Sequence, residues 1–130
     1  MQGPATRSVE ITAPPGPVRL EGALTVPGGP GGLVIFAHGS GSSRFSPRNA
    51  FVAERLAARG QATLLFDLLT AEEVADRAHV FDIPLLAGRV GAVVDWARAQ
   101  PDLADRPIGL FGASTGAAAA LVAAAWLPDA

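Results

Sequence analysis

Apolar and polar residues alternate along Ser8–Thr12 and again along Val18–Val26, with Pro14, Pro15, Gly16 and Pro17 between the two stretches. A period of two marks a strand with one face on a core and one in water, so these residues predict two half-buried antiparallel strands. The run Pro27-Gly28-Gly29-Pro30-Gly31-Gly32 is a short loop by composition. Beyond it the pattern changes. Leu33–Ala37, Ala62–Phe66 and Ile108–Phe111 are continuous apolar runs, as expected of strands buried on both faces of a parallel sheet. Helical signals fall between them. Ser46 reads as an N-cap with Pro47 at the first helical position, and that helix ends before Gly60. Thr70 and Glu73 form a capping-box pattern for a short helix to about His79. Pro84 to Gln100 predicts a longer helix with Leu86, Val90, Val93 and Ala97 on one face, and Thr115 to Leu127 an Ala-rich one.

Two half-exposed strands followed by three strand–helix repeats predict the α/β class: a mostly parallel sheet covered by helices, with an antiparallel edge at the N-terminal side. At 130 residues the chain suits one domain, 1–130. Nearly half of it, 49%, is apolar, enough for a core and too much for disorder. A formal charge of −2 leaves no basic footprint for nucleic acid. All ten cationic residues are Arg. The absence of Cys excludes disulfides, thiolate metal sites and a cysteine nucleophile. Met1 to Pro17 has no continuous apolar segment of a secretory signal, and Gly116 to Leu127 falls short of the roughly 20 residues of a membrane span. These features read as a soluble, cytoplasmic protein without membrane contact.

Gly112-Ala113-Ser114-Thr115-Gly116 matches G-x-S-x-G. Five residues with three fixed recur by chance, but this set lies where a buried strand ends and a helix begins, the setting of a nucleophile elbow. Such a turn is tight, so its flanking positions must be small, and here they are Gly, Ala, Thr and Gly. It would lift the Ser114 hydroxyl to the C-terminal edge of the sheet, at a helix N-terminus whose dipole favours developing negative charge. The plainer alternative is a Gly-rich turn in which Ser114 only caps the helix. Ala37-His38-Gly39-Ser40-Gly41 follows the first buried strand. A Gly-rich loop there can aim backbone N–H groups at a carbonyl oxygen, and the donors would be the amides of Ser40 and Thr115. The same loop could merely turn the chain. A phosphate-binding loop does not fit, since no Gly-Lys-Ser/Thr follows and Gly39-Ser40-Gly41 lacks the third Gly of a dinucleotide fingerprint.

These motifs, with LVIFAHGSGSSRFS from Leu33 to Ser46, ATLLFDLLT, FDIPLLAGRV and IGLFGASTGAAAALVAAA, resemble the dienelactone-hydrolase-like branch of the α/β-hydrolase superfamily. The resemblance runs from about Val9 to Pro128. It implies a partial α/β-hydrolase fold holding the N-terminal part of the domain, with Ser114 as nucleophile and the amides of Ser40 and Thr115 as oxyanion donors. His38, Gly39, Gly112 and Gly116 would shape the loops. It further implies cleavage of ester, lactone or related acyl bonds in a small-molecule substrate, with no metal and no cofactor.

The triad of that superfamily runs Ser, then Asp or Glu, then His. Sixteen residues follow Ser114, none of them His, and Asp129 is their only acid. It lies beyond a helix of about thirteen residues, hence ~20 Å from Ser114 at the helical rise. The acid and base are therefore expected outside this sequence, which would leave the chain alone inactive. The alternatives are a non-catalytic α/β domain, or a module completed by another chain. His38 and Asp67 end strands on the same sheet edge and could form a substitute relay with Ser114, though a His here is more often a hydrogen-bonded structural residue. His79 closes a short charged helix as ordinary dipole compensation. Glu72, Glu73, Asp76 and Arg77 read as a solvated face. Arg44 and Arg48, beside the Gly-rich loop, read as solvated or as greeting an acidic substrate. Trp96 is expected in the core and Trp126 exposed. The strand Ile108–Phe111 would become an open apolar edge, through which the chain self-associates.

Overall fold

Strands β1 (Thr6–Ala13) and β2 (Val18–Thr25) pair antiparallel, as their alternation requires. Ile11, Ala13, Leu20 and Leu24 are buried, while Thr12, Arg19 and Glu21 between them face solvent. The computed structural model describes residues 6–14, 17–29, 31–38, 44–112 and 115–126. The apolar runs form β3 (Leu33–Ala37), β4 (Ala62–Phe66) and β5 (Ile108–Gly112). The sheet order is β1-β2-β4-β3-β5, with β3 parallel to both β4 and β5 and β2 antiparallel to β4.

Side chains of the central strands alternate between two cores. Leu33, Ile35, Ala37, Ala62, Leu64 and Phe66 join the main cluster with helices α4 (Ile83–Arg98) and α5 (Thr115–Trp126). Phe36 and Leu65 face the other way, onto Ala53 of α1 (Pro47–Ala57). Ser46 caps α1, accepting a hydrogen bond from the Asn49 amide, and Pro47 opens it. In α4 the stripe Leu86, Val90, Val93 and Ala97 is fully inside, and Trp96 packs against the same cluster.

Three expectations change. The helix from Thr70 is two short ones, α2 (Ala71–Val74) and α3 (Arg77–Val80). The Thr70–Glu73 capping box forms, but Asp76 is extended and its side chain accepts from the Ala78 amide, starting a new helix where the first would have continued. Second, β5 is not buried on both faces. Among the described residues it is the sheet's outer strand, with Gly109 and Phe111 exposed. Third, Glu73 does not belong to a solvated face, for reasons given with the site.

Candidate active site

The register of the parallel strands sets the site. Phe66, Ala37 and Gly112 lie in one row at the C-terminal ends of β4, β3 and β5. The chain leaving that row carries Asp67, His38 and the motif segment, so residues far apart in sequence start from one sheet edge. Only two residues, 113 and 114, separate the end of β5 from the start of α5. Ser114, Ser40 and Gly39 lie outside the described residues, as does the side chain of Thr115.

The outer glycines of the motif are steric necessities. A Cβ on Gly116 would sit 2.1 Å from the Ala37 carbonyl oxygen and 2.3 Å from that of His38. One on Gly112 would meet the Gly116 carbonyl oxygen at 2.7 Å and the Ala117 backbone at 2.8 Å. All of these are backbone atoms, which cannot swing aside. The first turn of α5 therefore rests directly on the end of β3, and Gly116 touches the residue from which the Gly39–Ser40 segment departs.

His38 is half-buried, and its Nε2 accepts a hydrogen bond from the Leu68 amide at 3.0 Å, which leaves the ring proton on Nδ1. Asp67 turns both carboxylate oxygens to Arg44: Oδ1 accepts the Arg44 backbone N–H at 2.8 Å, and Oδ2 pairs with Nη1. These contacts do not build a base held by a carboxylate, the geometry a His38–Asp67 relay would need. Nor is Arg44 solvated or free for an acidic substrate. Its side chain is 19% exposed, binds Glu21 at 2.9 Å as well as Asp67, and lies over the Phe45 ring.

Behind this edge stands a buried ion pair that the sequence did not disclose. Arg89 of α4 is fully buried and grips Glu73 through its two terminal guanidinium nitrogens, Nη1 and Nη2, at 2.9 and 2.7 Å. It also donates to the carbonyl oxygens of Leu68 and Pro14. The hydrogen bond from Arg89, aided by Thr70 and opposed by burial, lowers the Glu73 carboxyl from 4.5 to about 2. A signal existed: Arg89 interrupts the apolar face of α4 between Leu86 and Val90, where an unpaired charge would be costly. Among the described residues no three His, Asp or Glu gather as a metal site would require. A cleft of about 900 Å³ opens between α1 and the β2–β4 face, lined by Thr25, Thr63, Glu54 and Arg44 among others, and it contains none of the described motif residues. No helix among the described residues is long and apolar enough to cross a membrane.

No family model matches the chain. Two Mycobacterium tuberculosis proteins, from strains CDC 1551 and H37Rv and provisionally named phosphoribosyl transferases, are each 61% identical to it over 122 residues. That match covers 94% of this chain, which spans only 28% of the length of those relatives. Among solved structures, a dienelactone hydrolase from Anabaena variabilis superposes with a TM-score of 0.90 at 50% identity, covering 98% of this chain and 60% of that one. An esterase from Pyrococcus furiosus gives 0.75 at 26% identity, over 97% and 47%. An α/β hydrolase from a Penicillium species gives 0.82 at 23%, over 96% and 43%, a likeness of fold alone.

Proposed function

We infer that this chain belongs to the α/β-hydrolase superfamily, on the side of the dienelactone hydrolase it resembles at 50% identity, and we propose that it carries the nucleophile of a serine hydrolase, Ser114. The packing of Gly112 and Gly116 carries the reading. A connection of only two residues between β5 and α5, with no room for a side chain at Gly112 or Gly116, is what an elbow demands and what a loose capping loop does not. The substrate is a small molecule with an ester, lactone or related acyl bond. The Ser114 oxygen attacks its carbonyl carbon, the hydroxyl proton passes to a base, and the oxyanion is held by the amides of Ser40 and Thr115 until the alcohol leaves. The contact of Gly116 with the Ala37 and His38 carbonyls supports that pairing, because it brings the neighbours of both donors together. Water then releases the acid. The protein acts in the cytoplasm, without metal, cofactor, nucleic acid or membrane, and its lack of cysteine fits a reducing compartment.

The base is not among these residues in this reading. His38 is engaged at Nε2 by the Leu68 amide, and no His follows Ser114. The acid and His come from polypeptide outside the sequence, as the 60% coverage of the Anabaena enzyme allows. A second reading, phosphoribosyl transfer, follows the name of the mycobacterial relatives. The residues they share with this chain give it little, since the sequence has no Lys and no phosphate-binding glycine pattern.

An activated-ester assay tests the proposal. The 130-residue chain is expected to turn over negligibly, no faster than its Ser114→Ala variant. Turnover that depends on Ser114 without any added base would place the base inside the chain and return His38 to that role.

A further inference from the structure

Leu68 is gripped from both sides just beyond the end of β4. Its N–H donates to Nε2 of His38 at 3.0 Å, and its carbonyl oxygen accepts Nη1 of Arg89 at 3.1 Å. Its side chain is buried in the main core. Arg89 is held in turn. Its Nε donates to the Pro14 carbonyl at 2.7 Å, and both terminal nitrogens bind Glu73. Glu73 is fixed by the Thr70 amide, which donates to its Oε1 at 2.9 Å. One buried guanidinium thus ties Pro14 beyond β1, the exit of β4 and the cap of α2 to α4. On the far side of His38, its carbonyl leaves no room for a Cβ on Gly116, which would approach the oxygen to 2.3 Å.

From this geometry we propose that Arg89 is a positioning residue: acting through Leu68, it fixes the His38 ring in the tautomer with its proton on Nδ1, and so seats His38 against Gly116 in the first turn of α5. The role of that turn rests on the hydrolase reading, whereas every contact lies among the described residues. Nε2 can accept the Leu68 amide only while it carries no proton. The amide keeps its direction because the carbonyl of the same residue has a buried donor. A buried carbonyl without a partner is costly, so without Arg89 the Leu68 backbone turns toward another donor and its amide leaves the ring. Arginine suits the task. Its planar fork meets Pro14, Leu68 and Glu73 at once, which an ammonium at the end of a flexible stem does not. Glu73 is the counter-ion that lets so long a donor carry its charge into the core.

Nitrogen-15 spectra of the neutral imidazole rings in the 130-residue chain test this without requiring turnover, so the positioning can fail while Ser114 remains a nucleophile, and the reverse. The chain has two histidines, and His79→Gln assigns their signals. The native His38 is expected with its proton on Nδ1. In Glu73→Leu with Arg89→Met, which strands no charge, the share of the Nε2–H form should rise about fivefold or more, and the Gly116 amide resonance should shift. Arg89→Lys keeps a charge for Glu73 but gives up Leu68, so it should show the same change, and it carries the test where the double variant does not fold. Val93→Ala removes methyl groups from the same helix but no hydrogen bond to Leu68, and His38 should keep its native tautomer there. A native ring carrying its proton on Nε2, or a ring unchanged in the Arg89 variants, would overturn the proposal. So would an equal change in Val93→Ala, because Arg89 would then merely stabilise the fold.

Discussion

Glu73 and Arg89 form the most deeply buried ion pair among the described residues, a fully buried guanidinium held against a carboxylate that is 17% exposed. Removing one partner leaves the other's charge stranded, whereas replacing both with apolar groups need not. Glu73→Leu is therefore expected to lower unfolding free energy by about 3 kcal/mol in denaturant titrations, and Glu73→Leu with Arg89→Met by clearly less. The carboxyl is lowered from 4.5 in an unfolded chain to about 2 in the folded one. Its contribution is thus complete above the unfolded value and drains away as pH falls toward the folded one, on the order of 3 kcal/mol in all. Stability measured from pH 5 to 2 should lose that component in Glu73→Gln. Equal slopes in the two proteins would contradict it. Single residues were also where the sequence said least. The three-residue spacing of Thr70 and its glutamate announced a cap, but only the fold shows that the same carboxylate also meets Arg89 sixteen residues on.

Elements were far more legible, because their signals are local and repeat. The two alternating stretches became β1 and β2, the apolar runs became β3, β4 and β5, and the capped segments became α1, α4 and α5 within a residue or two. What failed at this scale had a non-local cause or a competing local one. Asp76 capped a second helix, and the apolar run of β5, read as buried on both faces, has one face exposed at the sheet edge where it was expected to lie. Helix α4 offers a test of local propensity. Gly88 and Gly91 sit in its interior, and a Cβ at either meets nothing within 4 Å. Gly88→Ala and Gly91→Ala should each raise stability by about 0.5–1 kcal/mol, read as a higher denaturation midpoint at unchanged slope. A loss at either position would mean that the helix packs against something more closely than this structure has it.

Among the described residues, the two ends of the sheet differ in how they are covered. α4 and α5 bury a continuous core against β1 to β4, while β5 presents an outer edge with Phe111 40% exposed, beside Leu121 and Trp126 of α5 at 74% and 60%. An unpaired apolar edge invites another strand. The isolated chain is expected to self-associate, its mass by light scattering rising with concentration, and Phe111→Lys should suppress that. A monomer at all concentrations would contradict it. The fold and the sheet edge at which the proposed site residues gather were readable because they follow from strand order and a short, glycine-framed connection. The base that the proposed nucleophile requires was not, since no residue of the sequence after position 114 supplies a His. That gap makes the most direct test of the account a chemical rescue: incubate the chain with an activated acetate ester and increasing imidazole as an external base, and map acetylated residues by mass spectrometry. The account predicts an acetyl group on Ser114 that forms faster as imidazole rises and is missing in Ser114→Ala. Acetylation confined to other residues, or no imidazole-dependent modification of Ser114, would contradict it.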